Sequence, residues 1–158
     1  RNGDVVHMTS YAPLLAKERH TQWNPDLIYF NNREVKPTTG YYVQKLYGQN
    51  AGNEYLPSKI VLDNKDDKVR KRFASSIVRD SVSGDVIVKL VNLLPVEVNT
   101  NVDLSGIGAV QPSAKRTVLT GKPTDTPLPV EDRIQIAEKF DCNLPAYSFT
   151  VIRIQKAN

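Results

Sequence analysis
The sequence predicts a mainly β protein: an antiparallel β-sandwich over residues 54–158, preceded by a helix-strand-helix segment over residues 1–50. Three observations carry this. From about residue 54 onward, short runs rich in Val, Ile and Thr are punctuated by Gly, Pro and Asn, the texture of strands joined by turns. Within that region Val96, Val98, Val102 and Leu104 alternate with Glu97, Asn99, Asn101 and Asp103, a period of two that gives a strand one apolar face. Upstream, the apolar run Leu27-Ile28-Tyr29-Phe30 gives way to Tyr42, Val43, Leu46 and Tyr47, a change from strand-like to helix-like spacing.

Taken in order, residues 4–17 place apolar side chains at 5, 8, 12 and 15, the stripe of a helix, with Pro13 expected to kink it or loosen its last turn. Pro25 disfavours helix at Asn24, so a strand buried on both sides is expected over 26–30. A polar loop from Asn31 to Pro37 follows. The next helix is expected from Thr38 to Tyr47, with Thr38 or Thr39 as N-cap and Gly48 as its stop. A strand, a loop and a helix form one β-α unit, which cannot stand as a domain, so the chain is expected to begin inside something larger. Beyond Gly48, strands are expected near 59–62, 70–80, 85–94, 96–104, 115–120, 132–138 and 147–155. The 85–94 stretch is apolar on both faces and belongs in the middle of a sheet, with Ser83-Gly84 as the turn before it. Three prolines between Lys122 and Pro129 suggest a stiff surface crossover.

Composition narrows function by exclusion. Apolar content of 40% with 24% charged residues is that of a soluble globular chain. The net charge of +4 is spread by interleaving of both signs, and the one basic cluster, Lys65 to Arg72, has Phe73 as its only aromatic neighbour. It reads as a solvated strand end, with neither nucleic acid nor membrane as a partner. A lone Cys142 makes no internal disulfide, and no metal-ligand spacing or cofactor loop is present. Glu18, Glu34, Glu54, Glu97, Glu131 and Glu138 are the glutamates available for glycosidase chemistry. His7 and His20 have no nucleophile beside them.

Three stretches then align with one family. Asp4 to Leu15, Trp23 to Asn32 and Tyr41 to Tyr47 resemble the end of the catalytic barrel in family 51 glycoside hydrolases, the α-L-arabinofuranosidases, and Leu144 to Ile154 is similar to the last strand of that family's β-domain. The resemblance implies that residues 1–50 are a remnant of a (β/α)₈ barrel and that 54–158 form a jelly-roll-like C-terminal sandwich. It implies a retaining parent enzyme that removes terminal arabinofuranosyl groups from arabinan- or arabinoxylan-type polysaccharides outside the cytoplasm, without a cofactor. Both catalytic glutamates are expected upstream of Arg1, so this chain alone is expected to be inactive. Its expected partners are the barrel of its own parent chain and, through that parent, the polysaccharide; a second copy of the chain is a further possibility for covering the 26–30 strand. Barrel sites gather at the C-terminal ends of strands, so Asn31 and Asn32 are the candidate substrate-binding residues, whereas Trp23 and Asn24 precede the strand and belong to the opposite, stabilising end. The competing reading is a stand-alone carbohydrate-binding module, against which the scarcity of aromatics beyond Leu56 counts.

Overall fold
The computed structural model describes residues 2, 4–122 and 125–157. Its core is a six-stranded antiparallel sheet ordered β4-β5-β6-β11-β8-β9, in which β4 is Glu54–Leu56, β5 Phe73–Arg79, β6 Val86–Asn92, β8 Val110–Thr120, β9 Val130–Gln135 and β11 Ser148–Lys156. A two-stranded antiparallel sheet of β7 (Val98–Asp103) and β10 (Lys139–Leu144) covers one face. Val102, Leu104, Phe140, Cys142 and Leu144 from that cover meet Val86, Val88, Ala114, Ile152 and Ile154 from the large sheet in one apolar cluster.

The opposite face is covered by α1 (Thr39–Gln49). Here Leu46, with Tyr42 and Val43 beside it, packs on Val78, Ile87, Leu119, Phe149 and Val151. Because successive residues of a strand point to opposite faces, β6 and β11 must be apolar on both sides. Val88 and Ile152 serve the sandwich while Ile87 and Val151 serve the helix, and all four are buried. The central position expected for 85–94 is therefore observed, with β6 hydrogen-bonded between β5 and β11.

Lys89 lies on the α1 face, opposite Val151. Its side chain is buried, its ammonium 5.8 Å from the centroid of the Tyr47 ring, which stacks on Phe149. Burial lowers the Lys89 pKa. Asn92, wholly buried at the end of β6, donates from its amide to the carbonyls of Val96, Leu144 and Pro145 and accepts from Leu94 N–H. It thereby ties the β6–β7 connection to the β10–β11 turn.

A smaller mixed sheet lies upstream: β1 (Leu15–Lys17) runs parallel to β2 (Ile28–Phe30), and β3 (Val35–Pro37) runs antiparallel on its other side. This corrects the reading of residues 4–17 as a helix. After a turn at 4–5 the chain is irregular to residue 14 and then forms β1. A stripe of apolar residues cannot stabilise a helix that has no surface to pack against, and Val5, Met8, Leu14 and Leu15 are all exposed. The expected loop from Asn31 to Pro37 is instead a hairpin. Of the 26–30 run only Leu27 and Asp26 are buried, Ile28 and Tyr29 are half-buried and Phe30 is exposed, so the strand is covered less than its composition suggested.

Elsewhere the differences concern edges. Thr38 is the N-cap, its side chain accepting from Tyr41 N–H, but the helix continues through Gly48 to a cap at Asn50. Residues 59–62 form no strand. Val96 is exposed, outside the alternation that β7 follows. The Lys65–Arg72 segment holds a single helical turn, α2 (Asp67–Arg70), capped by Asp66, whose carboxylate accepts from Lys68 N–H. Both β4 and β10 are strands beyond those expected. Residues 125–129 carry no regular structure, while Pro123 and Thr124 of the expected crossover lie outside the described residues. Gly84 closes the β5–β6 turn with φ +78°, a conformation that favours glycine.

Candidate functional site
A polar concavity lies on the small sheet. It is about 540 Å³ in volume and is lined by Glu18, Arg19, Thr21, Gln22, Trp23, Asn24, Tyr29 and Lys36. Its floor follows from strand register: Ala16, Tyr29 and Lys36 are paired across β1, β2 and β3 and so share one face. The β1–β2 connection borders it. Tyr29 is fixed there by its hydroxyl, which accepts from Asp26 N–H at 2.9 Å and donates to Asn24 Oδ1 at 3.2 Å. Asp26 itself is fully buried, one carboxylate oxygen accepting from Thr21 Oγ1 at 3.0 Å. Trp23 stands at the rim with 67% of its surface exposed, unusual for an indole with no packing partner to hold.

Asn31 lies at the end of β2. Its Oδ1 accepts from Arg33 N–H at 2.8 Å and Glu34 N–H at 3.0 Å, while its Nδ2 donates to Glu18 Oε2 at 2.7 Å and Glu34 Oε1 at 3.3 Å. The side chain thus shapes the β2–β3 turn in the manner of an Asx turn. Asn32 is exposed and makes no hydrogen bond to a described residue. The structure does not bring the two amides together on one ligand position. No residue of the turn lines the concavity; Asn31 and Glu34 reach it only through their bonds to Glu18 and Lys36. Trp23 and Asn24, which precede β2, line the concavity.

Lys36 Nζ sits 2.8 Å from Glu18 Oε1 and 3.0 Å from Glu34 Oε1. Hydrogen bonding to Lys36, then to Asn31, holds both carboxyls below the usual range, and Glu18 in particular raises the Lys36 pKa in return. A glycosidase general acid needs a carboxyl raised toward neutrality. Glu18 and Glu34 are displaced the other way and stay ionised, forming an ion cluster with Lys36 in which neither is tuned as a proton donor. Burial pushes the Cys142 thiol up, which leaves it protonated and unreactive. The Glu18–Lys36–Glu34 cluster was not legible in the sequence. Its only trace is the Asn31-to-Glu34 spacing that permits a tight hairpin turn.

Residues 1–150 match the sequence profile described as the α-L-arabinofuranosidase C-terminal domain. This chain belongs to that family. It is 33% identical over 163 residues to a probable α-L-arabinofuranosidase A of Aspergillus terreus, a match covering 96% of this chain and 24% of that protein. Over 59 residues, 37% of this chain and 7% of the other, it is 54% identical to an extracellular exo-α-L-arabinofuranosidase of Streptomyces chartreusis. Among solved structures, an arabinose-bound family 51 α-L-arabinofuranosidase superposes on 99% of this chain with a TM-score of 0.85 and 30% identity, using 25% of its own length. The fold described above is therefore that of a family 51 C-terminal domain, and the chain spans about a quarter of the length of these full-length relatives.

Proposed function
We propose that this chain is the non-catalytic C-terminal part of an α-L-arabinofuranosidase that removes terminal arabinofuranosyl groups from arabinan- or arabinoxylan-type polysaccharides by a retaining mechanism. The correspondence over 99% of the chain with an α-L-arabinofuranosidase of about four times the length carries this reading. In it, residues 1–50 complete the catalytic barrel of the parent, and 54–158 form the sandwich that supports it. Two features fit that division. The β1–β2 pair is parallel, an arrangement that barrels use and that hairpins cannot make. The exposed Val5, Met8, Leu15 and Val35 are the apolar surface that barrel neighbours would cover. The turn at Asn31 and Asn32 then faces the sugar. Asn32 has its amide free to bond a pentose hydroxyl, Asn31 holds the turn in shape, and Trp23 offers a flat apolar face at the rim of the adjoining concavity. Like its Streptomyces relative, the parent acts outside the cytoplasm.

Retention at the anomeric carbon needs two carboxyl groups ~5–5.5 Å apart, one of them a nucleophile and the other a proton donor. Glu18 and Glu34 are both held ionised beside Lys36, which leaves no proton donor between them. The test is an assay of this chain and of its full-length parent at equal molarity on an aryl α-L-arabinofuranoside. Turnover is expected from the parent alone. Turnover by the 158-residue chain, abolished by Glu18→Gln or Glu34→Gln, would place the chemistry here and overturn the proposal.

A further inference from the structure
We infer that the concavity beside Trp23 holds a neutral sugar ring stacked on the indole; the inference deepens the arabinofuranosidase reading and rests on it for the class of ligand. Trp23 is the only tryptophan in the sequence and, among the described residues, the only aromatic more than half exposed. The other exposed aromatics, Phe30, Tyr47 and Tyr55, are each covered over more than half of their surface, and none of them lines the concavity. Its volume of about 540 Å³ falls in the range of small-ligand sites, roughly 300–1,000 Å³. Nor does this exposure belong to the apolar surface assigned to barrel neighbours. Tyr29 and Lys36 line the concavity from the row that they share with Ala16. Leu15 and Val35 stand one residue off that row, so their exposed side chains point to the opposite face of the small sheet.

The platform is braced from inside the fold. The backbone N–H of Trp23 donates to Thr21 Oγ1 at 3.1 Å, and that hydroxyl donates to Asp26 Oδ2 at 3.0 Å. Asn24 Oδ1 accepts from the Tyr29 hydroxyl, which itself accepts from Asp26 N–H. Asp26 is wholly buried, so both rim residues are fixed before a ligand arrives, and a preformed platform loses little entropy on binding. The groups around the indole suit hydroxyls better than charge. Glu18 and Lys36 pair at 2.8 Å, so an acidic polymer would meet an ionised carboxylate and gain only Arg19. Gln22 and the Arg19 guanidinium make no hydrogen bond to a described residue, and the Asn24 amide donor is likewise unused. A sugar ring carries hydroxyls that both donate and accept around a face of C–H groups, which matches amide and guanidinium donors set about an apolar plane. The arabinofuranosidase family of the chain selects a sugar among neutral, hydroxyl-rich ligands of this size.

Because Trp23 is the only tryptophan, the fluorescence of the 158-residue chain reads the site directly. Titration with arabinotetraose should move the emission to shorter wavelength, as the sugar displaces water from the indole, and calorimetry should give the same dissociation constant. Tetragalacturonate at equal concentrations should leave the emission unchanged. W23A should raise the calorimetric dissociation constant for arabinotetraose about tenfold, within the range found for aromatic anchors, and W23F should recover part of the loss. Circular dichroism checks that each variant is folded; if W23A is not, Q22A is read in its place, with a smaller loss. In the full-length parent W23A should raise KM for arabinotetraose by a similar factor. An emission unchanged up to ~10 mM arabinotetraose, ten times a weak millimolar dissociation constant, would overturn the inference. So would an equal shift with tetragalacturonate, or an unchanged KM in the W23A parent, as when the barrel covers Trp23. Turnover of an aryl α-L-arabinofuranoside by the unsubstituted parent is read separately. Turnover without a Trp23 response overturns the sugar site alone, and absence of turnover overturns the arabinofuranosidase reading.

Discussion

At Asp103 the carboxylate accepts from Ser105 N–H at 3.0 Å and pairs with Lys139 Nζ at 2.9 Å across the β7–β10 ladder. These bonds, Ser105 first, hold its pKa down at about 2, against 3.8 in the absence of such partners. A depressed carboxyl stabilises the fold fully above its unfolded value and loses that contribution as pH falls through the folded one. The window here runs from about pH 4 down to about pH 2. Asp103→Asn keeps an oxygen acceptor for Ser105 but not the ion pair. Its thermal midpoint should lie below that of the parent sequence by a constant margin from neutral pH to about 4, and the margin should close by pH 2. A margin that persists unchanged at pH 2 would mean that the charge of Asp103 contributes nothing. The same residue shows what is readable locally: Asp103 stands on the polar side of an alternation visible in the sequence, whereas Lys139 comes beside it only through the β7–β10 pairing.

At the scale of single elements, α1 is the clearest case of agreement between local signal and observed structure. Its N-cap and its inward-facing Leu46 both follow from spacing, and the start it adopts is the one that Thr38 specifies. Two substitutions separate its sources of stability. Thr38→Ala removes the cap at Tyr41 N–H and also the hydroxyl bond to the Leu27 carbonyl, and should cost about 1 kcal/mol. Leu46→Ala opens a cavity against Val78, Ile87 and Phe149 and should cost about 3 kcal/mol. Urea unfolding followed by circular dichroism measures both, with a lower midpoint and an unchanged slope expected for each. If Leu46→Ala costs no more than the cap, α1 is not packed on the sheet as described. The residue 4–17 segment is the counter-example: its apolar spacing matches a helix, yet the chain there is irregular and then pairs with β2. Periodicity states which side chains would share a face, and a face matters only where something covers it.

Over the whole molecule, coverage is uneven. The large sheet is buried on both sides by β7–β10 and by α1, while the small sheet and the segment before it leave Val5, Met8, Leu15 and Val35 in solvent. Each large apolar side chain left uncovered forgoes roughly 1.5–3 kcal/mol of burial. The isolated chain should therefore self-associate through this upstream surface, and Met8→Ser with Leu15→Ser should reduce the association without changing the thermal midpoint of the sandwich. Light scattering over a concentration series reads the first, and a thermal melt followed by circular dichroism the second. Association identical in chain and double variant would remove this surface from consideration.

The sequence by itself determined that the chain is mainly β, which stretch lies at the centre of the large sheet, and, to within the choice of Thr38 or Thr39 as cap, where α1 begins. These follow from period-two alternation, two-sided apolarity and cap chemistry, all written in contiguous residues. It also carried the family, through the 4–15, 23–32, 41–47 and 144–154 stretches. What only the tertiary structure decided is which strands pair and what surrounds the candidate site. The β7–β10 ladder joins residues some 40 positions apart, and the Glu18–Lys36–Glu34 cluster exists because β1, β2 and β3 lie side by side. Tyr29 and Lys36 line one concavity with Trp23 for the same reason. Pairing partners are chosen by competition among many apolar strands of similar composition, and that competition is resolved only when the whole sheet closes its core.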